Sequence, residues 1–99
     1  MAAYFIAQMT ITDPEGYKAY ASQTLPTIQK YGGKFVVRGG AITPVEGDFE
    51  HERVVVLEFP DVEAAQRWYN SPEYQPLALQ RQAASKGKSI IVEGAPPQV

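Results

Sequence analysis

The stretch Gly32-Gly33-Lys34-Phe35-Val36-Val37-Arg38-Gly39-Gly40 decides the fold, because it is a short apolar segment held between two glycine pairs. Glycine adopts backbone angles that other residues avoid, so the first pair is suited to ending a helix and the second to bending or bulging a strand. Simple alternation puts Phe35 and Val37 on one face of this strand and Arg38 on the other. The group that Arg38 faces is therefore the first functional question.

The segments on either side of this stretch predict helices and strands in a regular order. The first half should contain a strand over 4–11, a helix capped by Asp13 and closed by Gly32, in which Pro26 predicts a kink near Ser22, and then the strand from Lys34 with an extended piece over 41–45. The second half should contain a strand over 53–59, a helix capped by Asp61 and interrupted at 70–73, a helical segment from about Pro76 ended by 86–88, and a strand over 89–93. This order predicts an α+β fold of the ferredoxin-like split βαβ type, with helices on one face of a four-stranded antiparallel sheet. We expect a single domain over residues 1–95 and an extended tail over 96–99.

Alternation along the predicted strands gives the sheet two different faces. The face under the helices should carry the uniformly apolar set Phe5, Ala7, Met9, Ile11, Phe35, Val37, Val55, Leu57 and Phe59. The other face should carry Tyr4, Ile6, Val36, Val54 and Val56, with Gln8, Arg38 and Glu58 among them. Soluble monomers seldom expose so large an apolar surface, so the sequence predicts a two-fold homodimer packed sheet to sheet.

Composition excludes several classes of function. The 99-residue chain has a net charge of -2 and no cluster of basic residues, so we expect no nucleic-acid partner and no membrane surface. It contains no cysteine, and the acidic loop over 46–52 lacks the spacing of a calcium or zinc site, so no metal and no cofactor is expected. No secretion signal or membrane-spanning run is visible, which makes the cytoplasm the expected location.

Seven short motifs, in this order, carry a resemblance to a known family: Arg38-Gly39-Gly40, Glu46-Gly47-Asp48, Arg53-Val54-Val55, Glu58-Phe59-Pro60, Trp68-Tyr69, Ser71-Pro72-Glu73-Tyr74 and Arg81. Together they resemble the bacterial domain-of-unknown-function family 1330, over almost the whole chain. The resemblance implies a ferredoxin-like protomer of the dimeric α/β-barrel superfamily. That superfamily includes cofactor-free monooxygenases, small isomerases, haem-degrading enzymes and ligand-binding modules, so the resemblance implies no particular activity.

Arg38 and Glu58 form the first candidate site, because they share a face if the two neighbouring strands pair without interruption. One interpretation is a structural ion pair across the strands. In the other, Arg38 binds an anionic or carbonyl group of a ligand, and Glu58 acts as the catalytic base or as an acceptor that orients the ligand.

A second candidate group comes from the helices: Tyr20, Trp68, Tyr74 and Arg81. Aromatic residues at helical spacing are usually core, whereas Arg81 interrupts an apolar stripe and is harder to explain in that way. If these side chains instead line a pocket between helices and sheet, the pocket suits a small aromatic or carboxylate-bearing molecule.

The sequence thus predicts a homodimeric protein that binds a small organic molecule. One form of this hypothesis is a cofactor-independent enzyme that carries out proton transfer or oxygenation. The alternative is a non-catalytic dimeric module, structural or ligand-sensing, in which the polar residues only satisfy one another.

Overall fold

The computed structural model describes residues 1–96, and the chain folds in the predicted order. Its elements are β1 (Ala3–Ile11), α1 (Pro14–Lys30), β2 (Lys34–Arg38), β3 (Arg53–Phe59), α2 (Val62–Tyr69), α3 (Gln75–Ala84) and β4 (Ser85–Glu93). The strands form one sheet in the order β2-β3-β1-β4, and all neighbouring strands are antiparallel. The predicted ferredoxin-like α+β fold is therefore confirmed. Of the predicted tail over 96–99, residues 97–99 lie outside the described part of the chain.

Two aspartates begin the first two helices as the sequence predicts. The Asp13 side chain accepts a hydrogen bond from the Gly16 N–H at 3.1 Å, and Asp61 accepts one from the Ala64 N–H at 2.7 Å. Each cap satisfies a backbone donor that the first helical turn leaves unpaired. Helix α1 continues through Pro26 as one helix of 17 residues. These local signals fix where each helix leaves the sheet.

The core lies between the helices and one face of the sheet, which we call the inner face. Alternate residues of β1 and β3, such as Phe5 and Phe59, are buried there. The Trp68 ring on α2 lies 5.1 Å from that of Phe5 and 5.3 Å from that of Phe59, centre to centre. Its indole N–H donates to Thr27 Oγ1 at 3.1 Å. Trp68 thus joins α1 and α2 to the sheet as a core residue.

A bulge in β2 changes which of its residues face the core. Phe35 pairs with Leu57, but Val37 pairs with Val56, so the register slips by one residue at Val36. The slip turns Val37 to the outer face and Arg38 to the inner face. The predicted faces of these two residues were wrong, because the interruption lies inside the strand instead of at the glycine pair after it.

Strand β4 begins directly where α3 ends, and it starts at Ser85 instead of the predicted residue 89. Residues 86–88 were expected to end the helix, but they pair with β1. Gly87 lies opposite Met9, and a side chain at this position would collide with the Gln8 carbonyl oxygen. This glycine therefore permits close approach of two strands and is not a helix terminator.

The outer face of the sheet carries an apolar stripe that crosses all four strands. The pairs Val37–Val56, Val56–Ile6 and Ile6–Ile90 are in register, which places these four side chains in one row. Ile90 is 58% exposed. None of the helices in residues 1–96 has the length and apolar character needed to cross a membrane.

Candidate functional site

A narrow cleft lies between α1 and the inner face of the sheet and opens partly to solvent. Water-sized molecules can enter about 30 Å³ of it, within about 420 Å³ of unfilled space that includes the open solvent at its mouth. Side chains from β1 and β3, including Met9, Val55 and Leu57, form apolar walls. Tyr17 and Tyr20 contribute from α1. The cleft therefore combines apolar walls with phenol groups, a lining typical of sites for small organic molecules.

Three guanidinium groups also line this cleft, those of Arg38, Arg53 and Arg81. Arg38 is exposed, Arg53 is half-buried and Arg81 is only 8% exposed. The ion pairs found within residues 1–96 all use Lys or His, so none of these arginines has a carboxylate within 4.0 Å in that part of the chain. The cleft is thus positively charged.

Arg53 is held by an aromatic ring and a glycine. Its Nε donates to the Tyr17 hydroxyl at 3.0 Å, and its guanidinium carbon lies 5.1 Å from the centre of the Tyr17 ring. Gly39 has a φ of +69°, and any side chain there would collide with the guanidinium group. Gly39 therefore provides both an unusual backbone angle and the room that Arg53 occupies.

Arg38 owes its position to the bulge. Its guanidinium carbon lies 4.3 Å from the centre of the Phe35 ring, a cation–π distance. As the most exposed of the three arginines and a residue of an edge strand, it lies at the outer end of the cleft.

Arg81, Tyr74 and Tyr20 form a buried hydrogen-bonded row. Arg81 Nη1 donates to the Tyr74 hydroxyl at 3.1 Å, and the Tyr74 and Tyr20 hydroxyls lie 3.0 Å apart. Burial raises the pKa of both tyrosines, so both remain protonated phenols at neutral pH. If Tyr74 donates to Tyr20, the Tyr20 proton is left for a group in the cleft. The row can therefore present a hydrogen-bond donor to a bound molecule.

The structure brings together some of the residues predicted from the sequence and separates others. Arg38, Tyr20 and Arg81 line the cleft, and Tyr74 supports two of them from behind. Trp68 lies in the core and is not part of the lining.

Glu58 lies on the outer face, where it accepts from the Tyr4 hydroxyl at 3.3 Å and lies 3.6 Å from Lys34 Nζ. The expected pairing of Arg38 with Glu58 was wrong, because the bulge pairs Arg38 with Val55 and leaves Lys34 opposite Glu58. A role for Glu58 as a base therefore needs a substrate on the outer face.

Sequence reasoning missed Arg53 and Tyr17 as lining residues. Arg53 shares its strand parity with Val55 and Leu57, which were correctly predicted to face the helices. That parity was the signal that could have placed Arg53 in the cleft.

The acidic loop does not gather into a metal site. Within residues 1–96, no group of three or more His, Cys, Asp or Glu side chains is close enough to hold a metal ion. His51 Nδ1 instead lies 3.2 Å from the Thr10 hydroxyl, where it ties the loop to β1.

Solved structures share this fold at low sequence identity. RPA0582, a protein of unknown function from Rhodopseudomonas palustris, is 23% identical, with a TM-score of 0.78 over 97% of this chain and 84% of that one. SnoaB, a cofactor-independent oxygenase from Streptomyces nogalater, is 16% identical, with a TM-score of 0.64 over 97% of this chain and 95% of that one. A putative antibiotic biosynthesis monooxygenase from Bacteroides thetaiotaomicron is 14% identical, with a TM-score of 0.57 over 96% and 89%. These similarities establish the fold.

No curated protein matches the chain. Residues 2–95 match the family described as domain of unknown function DUF1330, which is nearly the whole chain. The resemblance carried by the sequence motifs is thereby confirmed. The protein belongs to the DUF1330 family.

Proposed function

We propose that this protein binds a small organic molecule in the cleft between α1 and the sheet. The observation that carries the proposal is the lining itself: apolar walls that include Met9 and Leu57, with the polar groups of Tyr20 and Arg81 among them. A planar, largely apolar molecule with one or two polar groups suits such walls. Sites of this kind are usually preformed and few in a small domain.

The test of binding is to fill the cleft. Ala21 is a half-buried lining residue of α1, and Ala19 is an exposed residue of the same helix. We expect 2-naphthamide, a neutral aromatic probe, to shift backbone amide NMR signals of the cleft residues in the wild type and in Ala19→Leu. Ala21→Leu should abolish these shifts without unfolding the protein. Equal shifts in all three proteins would show that the probe binds elsewhere.

The sequence predicts either a cofactor-independent enzyme or a non-catalytic module. The similarity to SnoaB, named as a cofactor-independent oxygenase, favours the enzyme. In an oxygenation, a phenolic substrate supplies the electrons and dioxygen the oxygen atoms, one of which enters the product while the other leaves as water. Tyr20 supports this form, because its hydroxyl can donate a hydrogen bond to a developing negative charge in the cleft.

Oxygen consumption separates the enzyme from the non-catalytic module. An enzyme consumes dioxygen when mixed with a naphthalenediol and no added metal or flavin, and Tyr20→Phe should slow that consumption by about tenfold or more. Binding of the diol without oxygen consumption would support the ligand-sensing module instead.

We also propose that the protein is a homodimer through the outer face of the sheet. The in-register row of Val37, Val56, Ile6 and Ile90 supports this, because it leaves a continuous apolar strip that a second copy can cover. Ile90→Glu should give a monomer in sedimentation at micromolar concentration. Leu79→Glu is the matched control, because Leu79 is 66% exposed on α3, away from this face. A wild type that sediments only as a monomer would refute the dimer.

A further inference from the structure

We propose that the cleft selects organic anions and that Arg53 is the residue that binds the ligand's carboxylate. This inference rests on the proposed function, since it names the class of molecule that the same cleft takes. It differs from the expectation drawn from the sequence, which assigned the anion to Arg38.

The first support is the distribution of charge. The whole chain is acidic, with 11 Asp and Glu against 9 Lys and Arg. The cleft nevertheless contains three of the four arginines of the sequence and no acidic side chain among its lining residues. A lining so different from the rest of the molecule attracts anions and repels cations.

The second support is that these arginines have no internal anion. A buried guanidinium group that serves stability is normally paired with a carboxylate, because desolvation of an unpaired charge is costly. Within residues 1–96 the cleft arginines contact aromatic rings and phenol oxygens instead. Burial raises the pKa of Tyr20 and Tyr74, so these phenols do not supply a negative charge at neutral pH. Arg81, the buried one of the three, therefore lacks an internal counter-charge, and an anion bound in the cleft would supply it.

The third support is the geometry of Arg53. Its Nε is engaged by Tyr17, which is its one side-chain hydrogen bond within the described residues. Its two terminal nitrogens therefore keep their donors for a ligand. The Tyr17 ring and the bare backbone of Gly39 hold the planar group in place. A fixed guanidinium fork with free donors matches a carboxylate in two parallel hydrogen bonds.

Arg81 and Arg38 have different positions around this fork. Arg81 is buried and already donates to Tyr74, so it contributes positive potential from within the fold. Arg38 is exposed and stacked on Phe35, so it adds charge at the outer end. Arg38 also keeps free donors, but within residues 1–96 no hydrogen bond orients it. Arg53 is half-buried and is oriented by its hydrogen bond to Tyr17.

The test compares 2-naphthoate with 2-naphthamide, which have the same ring and nearly the same shape but differ in charge. We expect the wild type to bind 2-naphthoate more tightly by roughly 10- to 100-fold, the range for a hydrogen bond between charged groups. Arg53→Met should remove this preference, because it should lower 2-naphthoate affinity by at least about tenfold more than it lowers 2-naphthamide affinity. Arg53→Lys keeps the charge but loses the fork, so it should retain only part of the preference.

Arg67→Met is the matched control, because Arg67 is an exposed residue of α2 outside the cleft and its loss should leave both affinities unchanged. Equal binding of the two probes by the wild type would overturn the inference and leave the proposed function standing. A preference for 2-naphthoate that survives in a folded Arg53→Met protein would overturn the role of Arg53. Failure of both probes to bind would count against the proposed function as well.

Discussion

Replacement of Tyr74 by phenylalanine is the sharpest test of the buried hydroxyl row. Tyr74 is fully buried, and its hydroxyl contacts both Arg81 Nη1 and the Tyr20 hydroxyl. A hydrogen bond to a charged group contributes about 1.5–3 kcal/mol and a neutral one about 0.5–1.5 kcal/mol. Water in the cleft can replace part of the energy of these two hydrogen bonds. We therefore expect Tyr74→Phe to lower the free energy of unfolding by about 2 kcal/mol.

Thermal unfolding followed by circular dichroism measures this loss. For a domain of this size, about 2 kcal/mol corresponds to a fall in Tm of roughly 8–16 °C. Tyr31→Phe is the matched control, because Tyr31 is half-buried and, among the described residues, its hydroxyl donates to Glu73 alone, at 3.0 Å. Although Glu73 is charged, its side chain is 32% exposed and water can replace the lost bond, so Tyr31→Phe should cost only about 0.5–1 kcal/mol. A Tm shift in Tyr74→Phe no larger than that in Tyr31→Phe would refute the reasoning, because it would mean that the row contributes nothing beyond an ordinary surface hydrogen bond.

Three further predictions test other parts of the account. Gly39→Ala should lower the free energy of unfolding by about 1–2 kcal/mol and remove the preference for 2-naphthoate. The reason is that alanine is strained at this positive φ and that its methyl group would collide with the Arg53 guanidinium. Gly40→Ala is the control and should have neither effect, because its methyl group has no atom within 4 Å. Lys30 lowers the pKa of Glu73 to about 2, so this ion pair should stabilise the fold above pH 4.5 and lose its effect as pH falls towards 2. In Lys30→Met, the NMR titration midpoint of Glu73 should return towards 4.5. An unchanged midpoint would show that Lys30 does not cause the low pKa. Glu58→Gln should leave 2-naphthoate affinity within about twofold, because its carboxyl lies on the outer face, whereas a tenfold loss would return Glu58 to the site.

Much of the fold could be predicted because its signals are local. Asp13 and Asp61 cap helices through contacts three residues away, and strand alternation correctly identified most of the inner face. Gly87 shows the limit of local reasoning. Its neighbours look like the end of a helix, and only its long-range pairing with Met9 makes it part of a strand.

The site was predicted less completely, and a bulge is the physical reason for the misplaced Arg38. A single extra residue at Val36 reverses the faces of everything after it in β2, and nothing in an apolar run marks where such a bulge falls. This shift of register separates Arg38 from Glu58 and places Arg38 in the cleft with Arg53. Tyr20 and Arg81 lie on unbroken elements, and both line the cleft between helices and sheet, which is the position that their helical periodicity predicts.

The most direct measurement of the central claim is a set of intermolecular NOEs between 2-naphthoate and the protein. Strand β3 supplies its own control, because Val55 faces the cleft while Val54 and Val56 have the opposite parity. We expect NOEs from the naphthalene ring protons to the methyl groups of Met9 and Val55. NOEs to Val54, Val56 or Ile6 in their place would put the ligand on the outer face and contradict the account.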